Sequence, residues 1–160
     1  MKKEKMNDKG FSLVELIIVI AIMAVLVVVL APQYLKYVER SRNSTDVSNA
    51  TSIVTACQVY AADPDATAAF TTGNEFDIKV TATTGEVVAG GTGAAAATDA
   101  LKEAAITISD VKCKSKSKWT WYNIHGKVET NGSITFTYTC DKADAFKDAM
   151  TGKTTTESGS

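Results

Sequence analysis

The chain reads as an α+β protein in which one very long N-terminal helix, apolar in its first half, packs against a small antiparallel sheet. Three observations carry that reading. Residues 11–31 (FSLVELIIVIAIMAVLVVVLA) form an apolar run whose one ionisable side chain is Glu15. From there to about Ala62 nothing but Pro32 interrupts a helical pattern. Further on, Phe76, Ile78 and Val80 alternate with Asp77 and Lys79, and residues 134–140 (ITFTYTC) alternate in the same way, as half-buried strands do.

The apolar run comes first because it constrains the most. At about 1.5 Å per residue it spans roughly the ~30 Å hydrocarbon core of a bilayer. An ionisable group in such a span costs on the order of 2.5–3.5 kcal/mol at mid-membrane and less near an end. A simple anchor would carry Leu or Val there, so Glu15 is a functional candidate. The leader MKKEKMNDKG precedes the run, and Lys2, Lys3, Lys5 and Lys9 outweigh Lys36, Arg40 and Arg42 (offset by Glu39) on the far side. That asymmetry keeps the leader cytoplasmic. Gly10 is small and permissive, as an extended protease substrate requires. A cut after Gly10 would leave a new α-amino group on Phe11, close to Glu15 on the same apolar rod. Two unit charges ~4 Å apart at an effective dielectric of ~20 attract by about 4 kcal/mol. That offsets the cost of an ionised carboxylate in lipid. Pairing within one chain is one option; a stagger between neighbouring rods satisfies both charges and also sets their register. A secretory signal peptide fits poorly, because the apolar run exceeds the usual 7–15 residues and Pro32 would follow the cleavage site directly.

Gly10-Phe11-Ser12-Leu13-Val14-Glu15, between a lysine-rich leader and an apolar helix, resembles the cleavage and assembly motif of type IV pilins and pseudopilins. Pro32, Tyr34 and Tyr37 resemble type IV pilins at those positions too, and the resemblance covers about the first forty residues. It implies that a membrane-embedded prepilin peptidase cuts between Gly10 and Phe11 and N-methylates Phe11. It also implies that Glu15 pairs with the Phe11 amine of a neighbouring subunit. The partners it implies are further copies of the chain in a helical homopolymer, the peptidase, and an inner-membrane platform protein with its cytoplasmic assembly ATPase. The implied location is the membrane as a single-pass precursor, then an extracellular pilus serving adhesion, motility or DNA uptake. A pseudopilin of a type II secretion or competence machine shares this N-terminus. A monomeric membrane-anchored binding domain is the reading from a different class, and it would leave both the carboxylate and the Gly10 junction without a role.

Composition narrows the remainder. Net charge is −1, and removing the leader makes the protein more acidic, which argues against a general polyanion binder. Three cysteines permit one disulfide in an extracytoplasmic chain. The single histidine, His125, has no ligand cluster around it in sequence. With no nucleophile elbow, phosphate loop or zinc pattern, no enzyme, cofactor or metal site is expected.

The domain plan is a leader (1–10), a long helix (11–62) with its membrane segment (11–31), a head (63–150) and a tail (151–160). In the second half of the helix, Val47, Ala50, Val54, Cys57 and Ala61 trace an apolar face. Asn43, Asp46, Asn49 and Ser52 trace the polar one. Asp63-Pro64-Asp65 ends the helix. A strand is expected over 76–80, a flexible loop over 85–97, a short helix over 98–105 and another over 141–150 with Phe146 inward. For the last hairpin, a turn at Gly126-Lys127 pairs position i with 253 − i. Cys113 then falls opposite Cys140, which predicts a disulfide between them and leaves Cys57 as a buried thiol. The competing turn, Asn131-Gly132, is normally the stronger hairpin signal. As a two-residue turn it sets Ile134, Phe136 and Tyr138 opposite Glu129, Lys127 and His125, a poorer match, so the first register is preferred. Lys112, Lys114, Lys116 and Lys118 would then share a strand face. There they serve as a solvated edge that discourages strand pairing, or as a surface for nucleic acid, other anionic polymers or an acidic groove on the next subunit.

Overall fold

The structure, a computed structural model, describes residues 12–66, 68–89 and 91–152. The leader, the Gly10–Phe11 junction and residues 153–160 lie outside the described residues. The chain forms two compact units, divided between Val38 and Glu39.

The first unit is helix. The helix α1 spans Leu13–Ala61, 49 residues, and continues through Pro32. Large apolar side chains stay exposed along the first unit from Leu13 to Tyr37, reaching 74% at Val28. A helix apolar on every side needs lipid or other protein around it. By length and composition, α1 is long and apolar enough to cross a membrane.

The second unit holds the rest of α1 and the head. Its strands are β1 (Glu75–Val80), β2 (Gly85–Val87), β3 (Tyr122–Val128) and β4 (Ile134–Cys140), and its short helices are α2 (Ala94–Glu103) and α3 (Ala145–Thr151). The sheet order is β2-β1-β3-β4, with each neighbouring pair antiparallel. This is the α+β architecture expected from the sequence. Phe76, Ile78 and Val80 on β1 and Tyr122 and Ile124 on β3 are buried in one cluster with Ala50, Ile53, Cys57 and Tyr60 of α1. Phe146 of α3 is fully buried, as expected. It stacks on Tyr122 at 4.3 Å and meets Trp119 edge-on at 5.1 Å.

Four expectations need correcting. The β3–β4 hairpin pairs Tyr122 with Cys140 and Val128 with Ile134, so the turn lies at Asn131-Gly132 and not at Gly126-Lys127. It is one residue longer than a two-residue turn. The Glu129 N–H donates to the Ser133 carbonyl at 2.8 Å, the Gly132 N–H donates to the Glu129 carbonyl at 3.0 Å, and Gly132 takes φ +81°. A three-residue loop closed by a left-handed glycine is a favoured hairpin geometry. The extra residue shifts the pairing by one and brings Phe136 opposite Gly126 and Tyr138 opposite Ile124. Such a shift exchanges the two faces of a strand. Gly126 serves space rather than turning, because a Cβ there would overlap the Phe76 ring.

The other corrections follow the same lines. Residues 111–121 form no strand, so Cys113 is not opposite Cys140, and Cys57, Cys113 and Cys140 are all free thiols. The buried stripe of α1 is Asp46, Ala50, Ile53, Ala56, Cys57 and Tyr60, rotated by one position so that Asp46 faces inward. Within 85–97, residues 85–87 pair with β1, and α2 starts at Ala94. Alanines 94–97 are strong helix formers. The Thr98 hydroxyl donates to the Ala94 carbonyl at 2.8 Å inside the helix and caps nothing.

Candidate assembly site and the carboxylates of the long helix

Glu15 lies in the first turn of α1. Its Oε2 accepts the Ser12 N–H at 2.8 Å, while the Leu16 N–H donates to the Ser12 carbonyl at 3.2 Å. This is half of a capping box: an acid three residues into the helix reaches back to an otherwise orphaned backbone donor. The helix dipole favours a negative charge at that end as well. The carboxylate is exposed, and the Ser12 N–H is its one hydrogen-bond donor among the described residues. Chemically this is an anion on an apolar rod with acceptor capacity to spare. Gly10 and Phe11, the other two expected site residues, lie outside the described residues.

Two further carboxylates of α1 organise the head. Asp46 is completely buried. Its Oδ1 accepts the Lys114 N–H at 2.7 Å, and its Oδ2 accepts the Ser115 N–H at 2.9 Å and the Trp119 indole N–H at 2.9 Å. The Cys113 thiol also donates to Oδ2 at 3.4 Å. A buried charge is tolerated only when it is matched by donors in this way. Two helical turns earlier, Glu39 Oε1 accepts the Lys116 and Ser117 N–H groups, both at 2.8 Å, and the Ser115 hydroxyl at 3.0 Å. Its other oxygen lies 3.5 Å from Arg42 Nη1. Desolvation pushes the Glu39 carboxyl up, but the hydrogen bonds from Ser117, Lys116 and Ser115 outweigh it and hold the group at about 2. Burial, helped by the neighbouring Asp46 charge, pushes the Cys113 thiol up to about 12, and burial alone does the same to Cys57.

Residues 113–119 are thus folded onto the helix by two side chains. Sequence reading assigned Asp46 to the solvent face. The available signal was its place four residues before Ala50, in line with Ile53, Cys57 and Tyr60. The other polar candidate, His125, pairs across the outer sheet face: its Nδ1 lies 3.2 Å from Asp77 Oδ1, which also accepts the Asn123 amide at 2.6 Å. Among the described residues no group of His, Cys, Asp and Glu could hold a metal ion.

Comparison with known proteins places the N-terminus in a class. Residues 5–31 match the prokaryotic N-terminal methylation motif. The chain is also similar to the type IV major pilin protein PilA of Myxococcus xanthus (strain DK1622), with 29% identity over 88 residues. That alignment covers 50% of this chain and 40% of the relative, so the chain spans less than half the length of the protein it matches. No solved structure matches. The motif and the similarity together support a type IV pilin, in agreement with the resemblance read from residues 10–15.

Proposed function

We propose that this chain is the structural subunit of a type IV pilus filament. It is stored in the membrane through the apolar half of α1 and cut by a prepilin peptidase between Gly10 and Phe11. Phe11 is then N-methylated. In the filament its amine pairs with Glu15 of a neighbouring subunit. A cytoplasmic ATPase and an inner-membrane platform protein supply the energy of extraction. The observation that carries this reading is the exposed Glu15 carboxylate in the first turn of an exposed apolar helix, inside a matched methylation motif. The Ser12 N–H occupies one oxygen and leaves acceptor capacity for an incoming ammonium. Similarity to a major pilin favours a pilus over the secretion pseudopilin that would share the same N-terminus.

Two measurements test it. Mass spectrometry of filament protein is expected to find Phe11 as the N-terminal residue, bearing one methyl group; a retained leader contradicts the reading. The Glu15→Ala variant is expected to lower filament yield at least about tenfold, since losing even 1.4 kcal/mol per contact has that effect on an association constant. Normal yield from that variant would overturn the pairing.

A further inference from the structure

The lysines of the 111–121 segment lose the role that a strand would have given them. The segment is not paired into the sheet, whose edges are β2 and β4, so these side chains guard no edge. Instead, Asp46 and Glu39 bind the backbone of residues 114–117 from the helix side. Cys113, Ser115 and Trp119 are buried, and Lys112, Lys114, Lys116 and Lys118 are turned outward and exposed. None of the four forms an ion pair among the described residues. No acidic residue interrupts 111–121, although the whole chain has more acids than bases. The helix spends two carboxylates on holding a row of unpaired ammonium groups in place.

Chain length says where that row is held in the membrane-stored form. Glu39 follows Ala31, the last residue of the apolar run, by eight residues. Eight residues reach about 29 Å at full extension and about 12 Å as helix. Whatever orientation the head takes, a loop hydrogen-bonded to Glu39 stays within that tether of the bilayer surface. Since α1 is helical through Glu39, the shorter figure of about 12 Å applies, close to the ~10 Å Debye length over which lysines are attracted to anionic headgroups. The aromatic neighbours do not suit single-stranded nucleic acid, which needs exposed stacking platforms. Trp119 is buried, and Trp121 is half-buried beneath Lys79.

We propose that Lys112, Lys114, Lys116 and Lys118 form a contact for the anionic lipid headgroups of the membrane that stores the precursor, a contact broken when the subunit leaves for the filament. This rests on the membrane-stored reading given above. The test is per-lysine amine modification, read by mass spectrometry, of the full-length precursor. The precursor is reconstituted in vesicles of phosphatidylcholine alone or with roughly one quarter phosphatidylglycerol. The four lysines are expected to react about fivefold or more slowly in the anionic vesicles, and to recover in high salt. Exposed Lys102 and Lys147 should react alike in both. Equal rates for the four in both vesicles, with the protein still resistant to alkaline extraction, overturn the lipid contact alone. Release of the protein by alkali overturns the membrane reading and the contact with it. Protection by added duplex DNA in neutral vesicles, matching that by phosphatidylglycerol, would reassign the loop to nucleic acid.

Discussion

Glu15 and Asp46 are carboxyl groups of the same helix in opposite surroundings. Asp46 is fully buried and accepts from three N–H groups and a thiol, all supplied by its own chain. Glu15 is exposed among apolar side chains and holds a single backbone donor from Ser12. A carboxylate whose donors are all internal builds a fold. One that keeps free acceptor capacity on an apolar rod has the chemistry that the proposed pairing with a neighbouring amine requires. The two halves of α1 differ in the same sense: the second half buries its stripe against the head, and the first exposes its apolar surface all round.

The comparison breaks if Asp46 proves dispensable. Asp46→Ala leaves several buried donors without an acceptor and is expected to cost about 3–5 kcal/mol. The cost is read from denaturant unfolding of the detergent-solubilised chain, followed by Trp119 fluorescence. Glu15→Gln in the same assay is expected to leave the unfolding midpoint unchanged. A loss under ~1 kcal/mol for Asp46→Ala would make the buried network incidental.

A smaller effect sharpens the assignment of Gly126. Gly126→Ala drives a methyl group into the Phe76 ring and is expected to cost about 1–3 kcal/mol, as overpacking does. A turn residue in an open loop would have tolerated alanine far better.

Glu39 gives a pH test with a definite sign. Its carboxyl titrates at about 2 in the folded protein, below its ordinary value of 4.5, so the folded state favours the ionised form. The stabilisation is complete above the ordinary value and is lost as pH falls through about 2. Wild-type protein is therefore expected to lose more stability than Glu39→Gln between pH 5 and pH 2. Parallel curves would show that the loop contacts add nothing. The mildest probe is alkylation. Half-exposed Cys140 is expected to react in the native protein, and Cys57 and Cys113 only after unfolding, since both are buried with thiols raised to about 12.

These residues also explain what could be read in advance. Glu15, the apolar run and the long helix were legible because their information is local: one helix, one period, one misplaced charge. Phe146 and the β1 alternation were legible for the same reason. Asp46 was misread because polarity alone says solvent, while its donors lie 67–73 residues away in sequence and carry no periodic signature. The preferred hairpin register missed by nine positions, because it pairs i with 253 − i where the structure pairs i with 262 − i. A two-residue turn at Asn131-Gly132 sets Phe136 and Tyr138 opposite Lys127 and His125, and the three-residue loop is what returns them to the core side. The Cys113–Cys140 pairing inherited that error. The lysine row was visible, but its backbone anchoring was not.

The most direct test of the central claim is the structure of the assembled filament at side-chain resolution, read at the nitrogen of Phe11. A methylated Phe11 nitrogen within about 4 Å of a Glu15 carboxylate from an adjacent subunit is the expected result, ion-pair distance for opposite charges in a nonpolar core. A nitrogen paired with Glu15 of its own chain, or still bonded to Gly10, would contradict it.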